Sequence, residues 1–243
     1  MWWSNLFVDM NKANFFNFSF LPKYATSFVR GLEYTLLLAV VSVLLAIIPA
    51  LLLALMRLSK NRIVRSISGA YIALFRSTPL LVQLSIIYFG LFGAISIPRV
   101  TILGFADISR FIPGVVALAL NSSAYVAEIF RAGILAVDKG QTEAARSLGL
   151  SGGASMRFVV LPQAIKNVLP ALANEIVTMV KESSICYTIG VQEIMSAVNS
   201  VKSATFSIGE PLIIAACVYF CLTFPTSKII QYFERRMSRG DRR

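Results

Sequence analysis

The sequence has 243 residues, of which 56% are hydrophobic and only 14% are charged, with a mean hydropathy of +0.71. A soluble domain carries roughly a quarter charged residues, so the composition excludes an ordinary water-soluble protein. A net charge of +11 would suggest nucleic-acid binding in a soluble protein. Here the basic residues lie between apolar runs of membrane-spanning length, so membrane topology explains them better. We expect one membrane domain and no nucleic-acid partner.

The first thirty residues do not form a cleavable signal, because no basic start, apolar core and small-residue cleavage site follow one another. Aromatic residues are instead interleaved with Asn, Asp and Lys, which is typical of a segment at the membrane interface. We therefore assign 1–30 to an extracytoplasmic interfacial segment, 31–232 to the transmembrane domain and 233–243 to a basic cytoplasmic tail. A partly ordered tail is the alternative for 1–30.

Five apolar runs are long enough to cross a bilayer, which takes about 20 residues. The predicted fold class is an all-α membrane protein with about five transmembrane helices. Their predicted bounds are 32–56, 69–95, 111–136, 163–181 and 207–232. The fourth is the weakest prediction, because Pro170, Asn174 and Glu175 interrupt its apolar pattern.

Charge decides between the two orientations that five spans allow. If 57–68, 137–166 and the tail from Lys228 are cytoplasmic, they hold fourteen Lys and Arg. The opposite side then holds six: Lys12, Lys23, Arg30, Arg99, Arg110 and Lys202. The positive-inside rule places the N-terminus outside and the C-terminus inside. The basic tail can also bind anionic lipids of the inner leaflet.

The cytoplasmic connection at 137–162 has a pattern that predicts a short helix parallel to the membrane. Gln141 or Thr142 can begin this helix, and Glu143 suits its positive N-terminus. Two alanines follow and give a low-profile surface that fits a groove in another protein. Gly149 permits the turn that ends the helix, and Leu161-Pro162 begins the next span, since proline is accepted in a first helical turn.

This connection matches the pattern E-A-A-x(3)-G-x(9)-[I/V]-x-L-P and resembles the cytoplasmic loop of permease subunits of bacterial ABC importers. Its one departure is Val159, where isoleucine is more usual. The resemblance implies that the helix docks on an ATPase subunit, against the alternative of an ordinary amphipathic connector. The docking residues it implies are Gly140, Gln141, Glu143, Ala144, Ala145, Gly149, Leu161 and Pro162.

Three further stretches, 75–83, 124–131 and 181–184, look like the polar amino acid uptake branch of that family. The last usually reads Lys-Asp-Thr-Ser, so Glu182 and Ser183 depart from it conservatively. The resemblance implies a multi-pass protein of the cytoplasmic (inner) membrane that imports a polar amino acid. Its implied partners are ABC ATPase subunits, a second permease (identical or paralogous), an extracytoplasmic solute-binding protein and membrane lipid.

The sequence holds no G-x-x-x-x-G-K-[S/T], the loop that cradles nucleotide phosphates. We therefore expect no cofactor on this chain, with ATP and Mg bound by the partner ATPase. Five helices are few to enclose a path for solute, so a pair of permeases is expected. The expected mechanism is alternating access, in which the docked helices are dragged together when ATP binds.

Polar residues inside the spans predict a lined substrate pathway, because buried ionisable groups usually face the protein interior of a membrane protein. Arg76 and Glu128 are expected at similar depth and can pair, with Arg131 as a rival partner for Glu128 one turn on. Pairing without substrate contact, and polar contacts that only join helices, are the alternatives. Pro79 and Pro170 each remove a backbone hydrogen bond and can break or kink their spans. The pathway residues predicted are Arg76, Thr78, Gln83, Asn121, Tyr125, Glu128, Asn174, Lys181 and Glu182.

Two other classes of function are weighed against an importer subunit. A stand-alone secondary transporter or channel would leave the docking pattern unexplained. A membrane-embedded enzyme would need a nucleophile, a metal or an acid–base pair. The chain has no histidine, the commonest metal ligand and general base, and three cysteines without a C-x-x-C spacing, which indicate no zinc site. We therefore expect no catalytic and no metal-binding residue.

Overall fold

The computed structural model describes residues 17–95, 97–98, 100–102 and 106–238, and these residues are almost entirely helical. The predicted interfacial residues before 17 and the last basic residues after 238 lie outside this part. The helices are α1 (Leu21–Leu58), α2 (Arg62–Ser77), α3 (Leu80–Ser85), α4 (Ile108–Leu135), α5 (Lys139–Ser147), α6 (Gly152–Ser155), α7 (Leu161–Glu182), α8 (Ile194–Thr205) and α9 (Gly209–Ser238). The all-α class is therefore confirmed.

Shorter elements join these helices. A π-helical turn (Ile86–Leu91) and a 3₁₀ turn (Phe92–Ala94) extend α3, a second π-helical turn (Met156–Val160) leads into α7, and a 3₁₀ helix (Ser183–Ile189) follows α7. Strands β1 (Thr101–Ile102) and β2 (Ala106–Asp107) pair antiparallel. Asp107 then accepts the backbone N–H of Ser109 at 3.0 Å and caps α4.

Three helices, α1, α4 and α9, are each long and apolar enough to cross a membrane, and α2 with the extended α3 makes a fourth candidate if that bent pair is one span. α1 begins at Leu21, eleven residues before the predicted span, so part of the segment assigned to the interface is helical. α7 covers the predicted fourth span, but Lys166, Asn167, Asn174 and Glu175 lower its hydropathy. The sequence and the structure thus agree on where the helices lie, and composition alone identifies fewer of them as spans.

The predicted second span is not one continuous helix. α2 ends at Ser77 and α3 begins after Pro79, and the two axes are bent by 105°. Proline lacks an N–H, and its ring disfavours the helical conformation for the residue before it, which is Thr78, in extended conformation. Pro170 behaves differently, because α7 continues through it from Leu161 to Glu182. Of the two outcomes considered for these prolines, a break occurs at Pro79, whereas the helix is not broken at Pro170.

The core forms where α4 crosses α1 and α7. Of the residues in the most apolar stretch of α4, 61% are buried, against 6% in α9. Leu38 and Val43 of α1 pack with Leu118 of α4 and Met179 of α7. A second cluster joins the beginning of α1 to α8 and α9. Gly31 is required there, since a Cβ at this position would come within 2.9 Å of the Ile194 backbone.

Candidate functional site

The short helix α5 projects its side chains away from the rest of the chain. Asp138 caps its beginning by accepting the backbone N–H of Gly140 at 2.7 Å, so the helix starts before the predicted Gln141 or Thr142. Glu143 consequently lies in the middle of α5 and not in its first turn. Gly149 ends the helix with φ of +87°, the left-handed conformation predicted for it.

The exposed surface of α5 differs in one respect from the predicted docking face. Glu143 and Ala144 are exposed, whereas Ala145 is only 4% exposed and packs inside its own chain. The sequence reasoning missed Leu148, whose side chain is 85% exposed at the end of α5. An apolar residue directly before the helix-ending glycine is the signal that could have identified it.

One side-chain hydrogen bond joins α5 to α7. The Gln163 side chain of α7 donates to Gln141 Oε1 at 3.3 Å, and also to the Val159 carbonyl just before α7 at 3.1 Å. α7 begins at Leu161 with Pro162 in its first turn, as predicted. Movement of α5 is therefore coupled to α7 through the side chain of Gln163 as well as through the connecting backbone.

Eight of the nine predicted pathway residues fall into three separate places. At the carboxyl end of α7, Lys181 and Glu182 line a cavity of about 570 Å³. Its other lining residues are Leu80, Ser184, Ile185, Tyr187, Met195 and Tyr219. Glu182 Oε2 is buried and has no hydrogen-bond partner among the described residues. A buried carboxylate oxygen without a donor is costly, so Glu182 would gain from a ligand donor that its side chain reaches by rotating towards the cavity.

A second group lies at the break between α2 and α3. The Gln83 amide nitrogen donates to the carbonyls of Phe75 and Thr78 at 2.8 and 3.0 Å and to Thr78 Oγ1 at 2.8 Å. The Asn121 amide of α4 donates to Gln83 Oε1 at 2.9 Å. Gln83 thus satisfies carbonyls that the broken helix leaves without partners. These contacts hold the bend in place.

The third group lies between α1, α2 and α4, around Glu128. Arg131 donates to Glu128 Oε2 from Nε at 2.9 Å and from Nη2 at 2.7 Å. Arg57 Nε lies 3.8 Å from Glu128 Oε1. Arg76 lies over the Tyr125 ring, 5.3 Å from its centroid, and makes no ion pair within 4.0 Å among the described residues. The predicted pairing of Arg76 with Glu128 is wrong, because the rival partner Arg131 is one turn away on the same helix.

Further polar residues complete the interior. Asn174 is exposed on α7, apart from all three groups. Glu175, which the sequence reasoning treated only as an interruption, is 7% exposed and accepts from Ser122 Oγ at 2.9 Å, joining α7 to α4. Glu193 is fully buried and accepts the backbone N–H groups of Met195 and Ser196 and the hydroxyl of Tyr219. An ionisable residue within an apolar run is the signal that marks Glu175.

Comparison with known proteins gives a consistent result over most of the chain. Residues 42–239 match the model of the family described as binding-protein-dependent transport system inner membrane component. The arginine transport system permease protein ArtQ of Bacillus subtilis is 43% identical over 213 residues, which is 88% of this chain and 93% of that protein. The putative glutamine transport system permease protein GlnP of Rickettsia typhi is 40% identical over 86% of this chain and 92% of its own length.

A solved structure supports the same relationship. The crystal structure of an amino acid ABC transporter with histidines contains a chain that is 45% identical to this one. The match covers 91% of this chain and 99% of the other, with a TM-score of 0.82.

Proposed function

The chain belongs to the family of binding-protein-dependent transport system inner membrane components, and from that membership we propose that it is the membrane-spanning subunit of an ATP-binding cassette importer for a polar amino acid. Relatives that are permeases of arginine and glutamine systems support this class of substrate. The protein itself is a multi-pass subunit of the inner membrane and not an enzyme. Hydrolysis of ATP belongs to a separate subunit, which also holds the Mg.

The single observation that carries this proposal is the exposed helix α5. Its Glu143, Ala144 and Leu148 side chains are exposed. Asp138 caps its first turn, and the hydrogen bond from Gln163 joins it to α7. A short helix that exposes small and polar residues, with one apolar residue at its end, offers a low-profile surface that another protein can cover. We propose that this face docks on the ATPase subunit and that Gly140 and Gly149 set the two ends of the docking loop.

We propose a topology of five spans, with the N-terminus outside and the C-terminus inside. The spans are α1, the bent pair α2 and α3, α4, α7 and α9. α7 is the span that composition alone does not identify, yet its 22 residues correspond to about 33 Å, enough to cross the hydrocarbon. Its buried Glu175 bonds to Ser122 of α4, which supports a place inside the bundle.

We propose that the amino acid binds in the cavity at the end of α7. Lys181 and Glu182 both line the cavity. The ammonium of Lys181 suits the substrate carboxylate, and the carboxylate of Glu182, whose Oε2 has no donor among the described residues, suits the substrate ammonium group. Opposite charges on adjacent residues are complementary to a zwitterion. The cavity is open at one side, as expected of half of a site that a second permease, identical or paralogous, completes.

The proposed mechanism is alternating access. ATP binding closes a pair of ATPase subunits, which draws the two α5 helices together and tilts the spans attached to them. The cavity then opens to the extracytoplasmic solute-binding protein, and hydrolysis returns it to the inward-open state. This coupling requires that the ATPase binds α5 with different free energy in the two states. Gln163 carries the motion from α5 to α7, whose far end holds Lys181 and Glu182.

Uptake by the reconstituted complex tests the proposal. Proteoliposomes with both permeases, the ATPase and the solute-binding protein should take up a labelled amino acid. Uptake should occur only when ATP is present on the side of the membrane where the ATPase lies. Glu182→Gln should lower uptake, whereas Lys202→Gln, an exposed change on α8, should not. Uptake by the purified chain without ATP or ATPase would favour the alternative, a secondary transporter or channel.

A further inference from the structure

The pocket around Glu128 contains more positive charge than its acidic residue can balance. Its lining includes Arg57, Arg76, Tyr125 and Glu128, and its volume is about 430 Å³. Arg131 adds a third guanidinium beside the same carboxylate. Three arginines against one glutamate leave a net charge of +2, and α1, α2 and α4 bring no other acidic side chain to this pocket among its described lining residues.

Arg57 is held in this pocket and not extended into the cytoplasm. Gly69 of α2 makes room for it, since a Cβ there would lie 3.0 Å from Arg57 Nη1. Arg57 Nε is buried and has no hydrogen-bond partner among the described residues, and Glu128 Oε1 is 3.8 Å away. The Arg57 side chain as a whole lines the pocket and is 34% exposed, so its positive charge acts on an anion that enters there.

The surroundings of the pocket combine a basic rim with an apolar flank. Lys60, Arg62 and Arg65 follow Arg57 in the turn between α1 and α2 and on the first turn of α2. The face of α2 turned away from the pocket exposes Ile63, Ile67 and Leu74, at 71%, 58% and 60% of their surfaces, as expected of a helix side that contacts lipid. In the topology proposed above, this rim lies at the cytoplasmic face of the membrane, where anionic lipids collect.

From these observations we propose that the pocket between α1, α2 and α4 binds the phosphate headgroup of an anionic phospholipid of the inner leaflet. The phosphodiester lies against Arg57 and Arg76, which line the same pocket. Basic pockets between transmembrane helices on the cytoplasmic side are suited to such headgroups. The proposal rests on the proposed orientation of the chain and goes beyond the transport function.

A zwitterionic amino acid is a poorer occupant of this pocket than a phospholipid. Its ammonium group would lie among three guanidinium groups, and Glu128, the one carboxylate among the described lining residues, already pairs with Arg131. The pocket also shares no lining residue with the cavity at Lys181 and Glu182. Lipid in one and amino acid in the other would therefore not compete directly.

Native mass spectrometry of the assembled complex, titrated with phosphatidylglycerol, tests the proposal. Arg57→Gln should weaken the apparent affinity about fivefold, since one arginine near the surface contributes roughly that much to anionic lipid binding. Lys202→Gln is the control, because it removes one positive charge from an exposed position on α8, on the opposite side of the membrane in the proposed topology. It should change the affinity by less than half of the Arg57→Gln effect on a logarithmic scale.

Three results would overturn the proposal. The first is an Arg57→Gln complex that assembles with its ATPase and binds phosphatidylglycerol as the unchanged complex does. The second is an Arg57→Gln complex that binds phosphatidylglycerol and neutral phosphatidylcholine more weakly by the same factor, which would indicate a general effect on the lipid-facing surface. The third is displacement of the bound lipid by millimolar inorganic phosphate, which would identify a site for a free anion. A complex that binds the lipid in this way but fails to import amino acid would contradict the transport proposal and not the lipid site.

Discussion

Helices α5 and α9 are both largely uncovered by the rest of the chain, yet they expose opposite kinds of surface. α5 exposes Glu143 and Ala144, with one apolar residue, Leu148, at its end. α9 exposes large apolar side chains along its length, among them Phe220, Phe224 and Ile229. A helix that exposes so many apolar groups to water would aggregate, whereas a helix that exposes them to lipid is stable.

Lack of burial therefore has two meanings in this molecule. In the proposed function, lipid or a second permease supplies apolar contacts to α9. The ATPase subunit would instead cover α5, whose small polar surface carries one apolar side chain. The following substitutions test this contrast.

The largest effect on transport is expected from a bulky side chain on α5. Ala144→Trp should lower ATP-driven uptake tenfold or more, because a large side chain at the centre of a docked surface costs roughly 2 kcal/mol or more of binding. Ala204→Trp, at an exposed alanine of α8, is the control and should leave uptake within about twofold. Equal effects of the two substitutions would remove α5 from the interface.

The free energy of unfolding should depend on pH through Glu193, which accepts a hydrogen bond from Tyr219 of α9. Glu193 lies outside the long helices, and burial raises its pKa to about 7, although its hydrogen bonds from Met195, Tyr219 and Ser196 act in the opposite direction. The folded chain then holds the proton more tightly than the unfolded chain, so stability is highest below the ordinary carboxyl pKa and decreases as pH rises towards 7. The decrease is on the order of 3 kcal/mol.

Thermal unfolding in detergent at pH 5 and pH 8 measures this effect. Glu193→Gln has no such titration, so its midpoint should rise relative to that of the unchanged protein as pH increases. A difference between the two proteins that is the same at both pH values would show that Glu193 keeps its charge in the fold.

A smaller effect, on binding of the ATPase subunit, is expected from a substitution of Leu148. Leu148→Ser should weaken binding of the ATPase roughly tenfold, since burial of a leucine side chain at an interface contributes about 1.5 kcal/mol. Because the side chain is 85% exposed, the thermal midpoint of the isolated chain should not change. Phe206→Ser, at a 91% exposed residue outside α5, is the control and should leave co-purification with the ATPase intact.

The smallest effect on stability is expected when one apolar side chain replaces another on the outer side of α9. Phe220→Leu exchanges one exposed apolar side chain for another, and lipid solvates both, so stability should change by about 0.5 kcal/mol or less. Phe220→Lys should instead be strongly destabilising, because a charge in the hydrocarbon costs several kcal/mol. Tolerance of the lysine would show that this position contacts water.

The sequence predicted those features that depend on neighbouring residues. The positive φ of Gly149, the first turn at Leu161-Pro162 and the break before Pro79 each follow from a few adjacent positions. The start of α5 was predicted two to three residues late, because Asp138 competes with Gln141 and Thr142 as a cap and forms a short hydrogen bond.

Contacts between distant residues could not be predicted in the same way. Arg57 and Glu128 are 71 positions apart in the chain, and their approach depends on the room that Gly69 leaves on a third helix. The prediction of Arg76 as the partner of Glu128 used depth in the membrane alone, which does not define where a side chain points. Likewise, Pro79 indicated a break but not its angle, which the bonds of Gln83 stabilise.

The position of α5 against an ATPase is the claim that most needs a direct measurement. A photo-reactive amino acid in place of Glu143 should cross-link this chain to the ATPase subunit in membranes, with a yield that changes when ATP binds. The same residue at position 202 on α8 should give no cross-link to that subunit. Absence of the ATPase from the cross-linked products at 143, or labelling of a Glu143→Cys side chain by an impermeant reagent added outside intact cells, would contradict the proposed function.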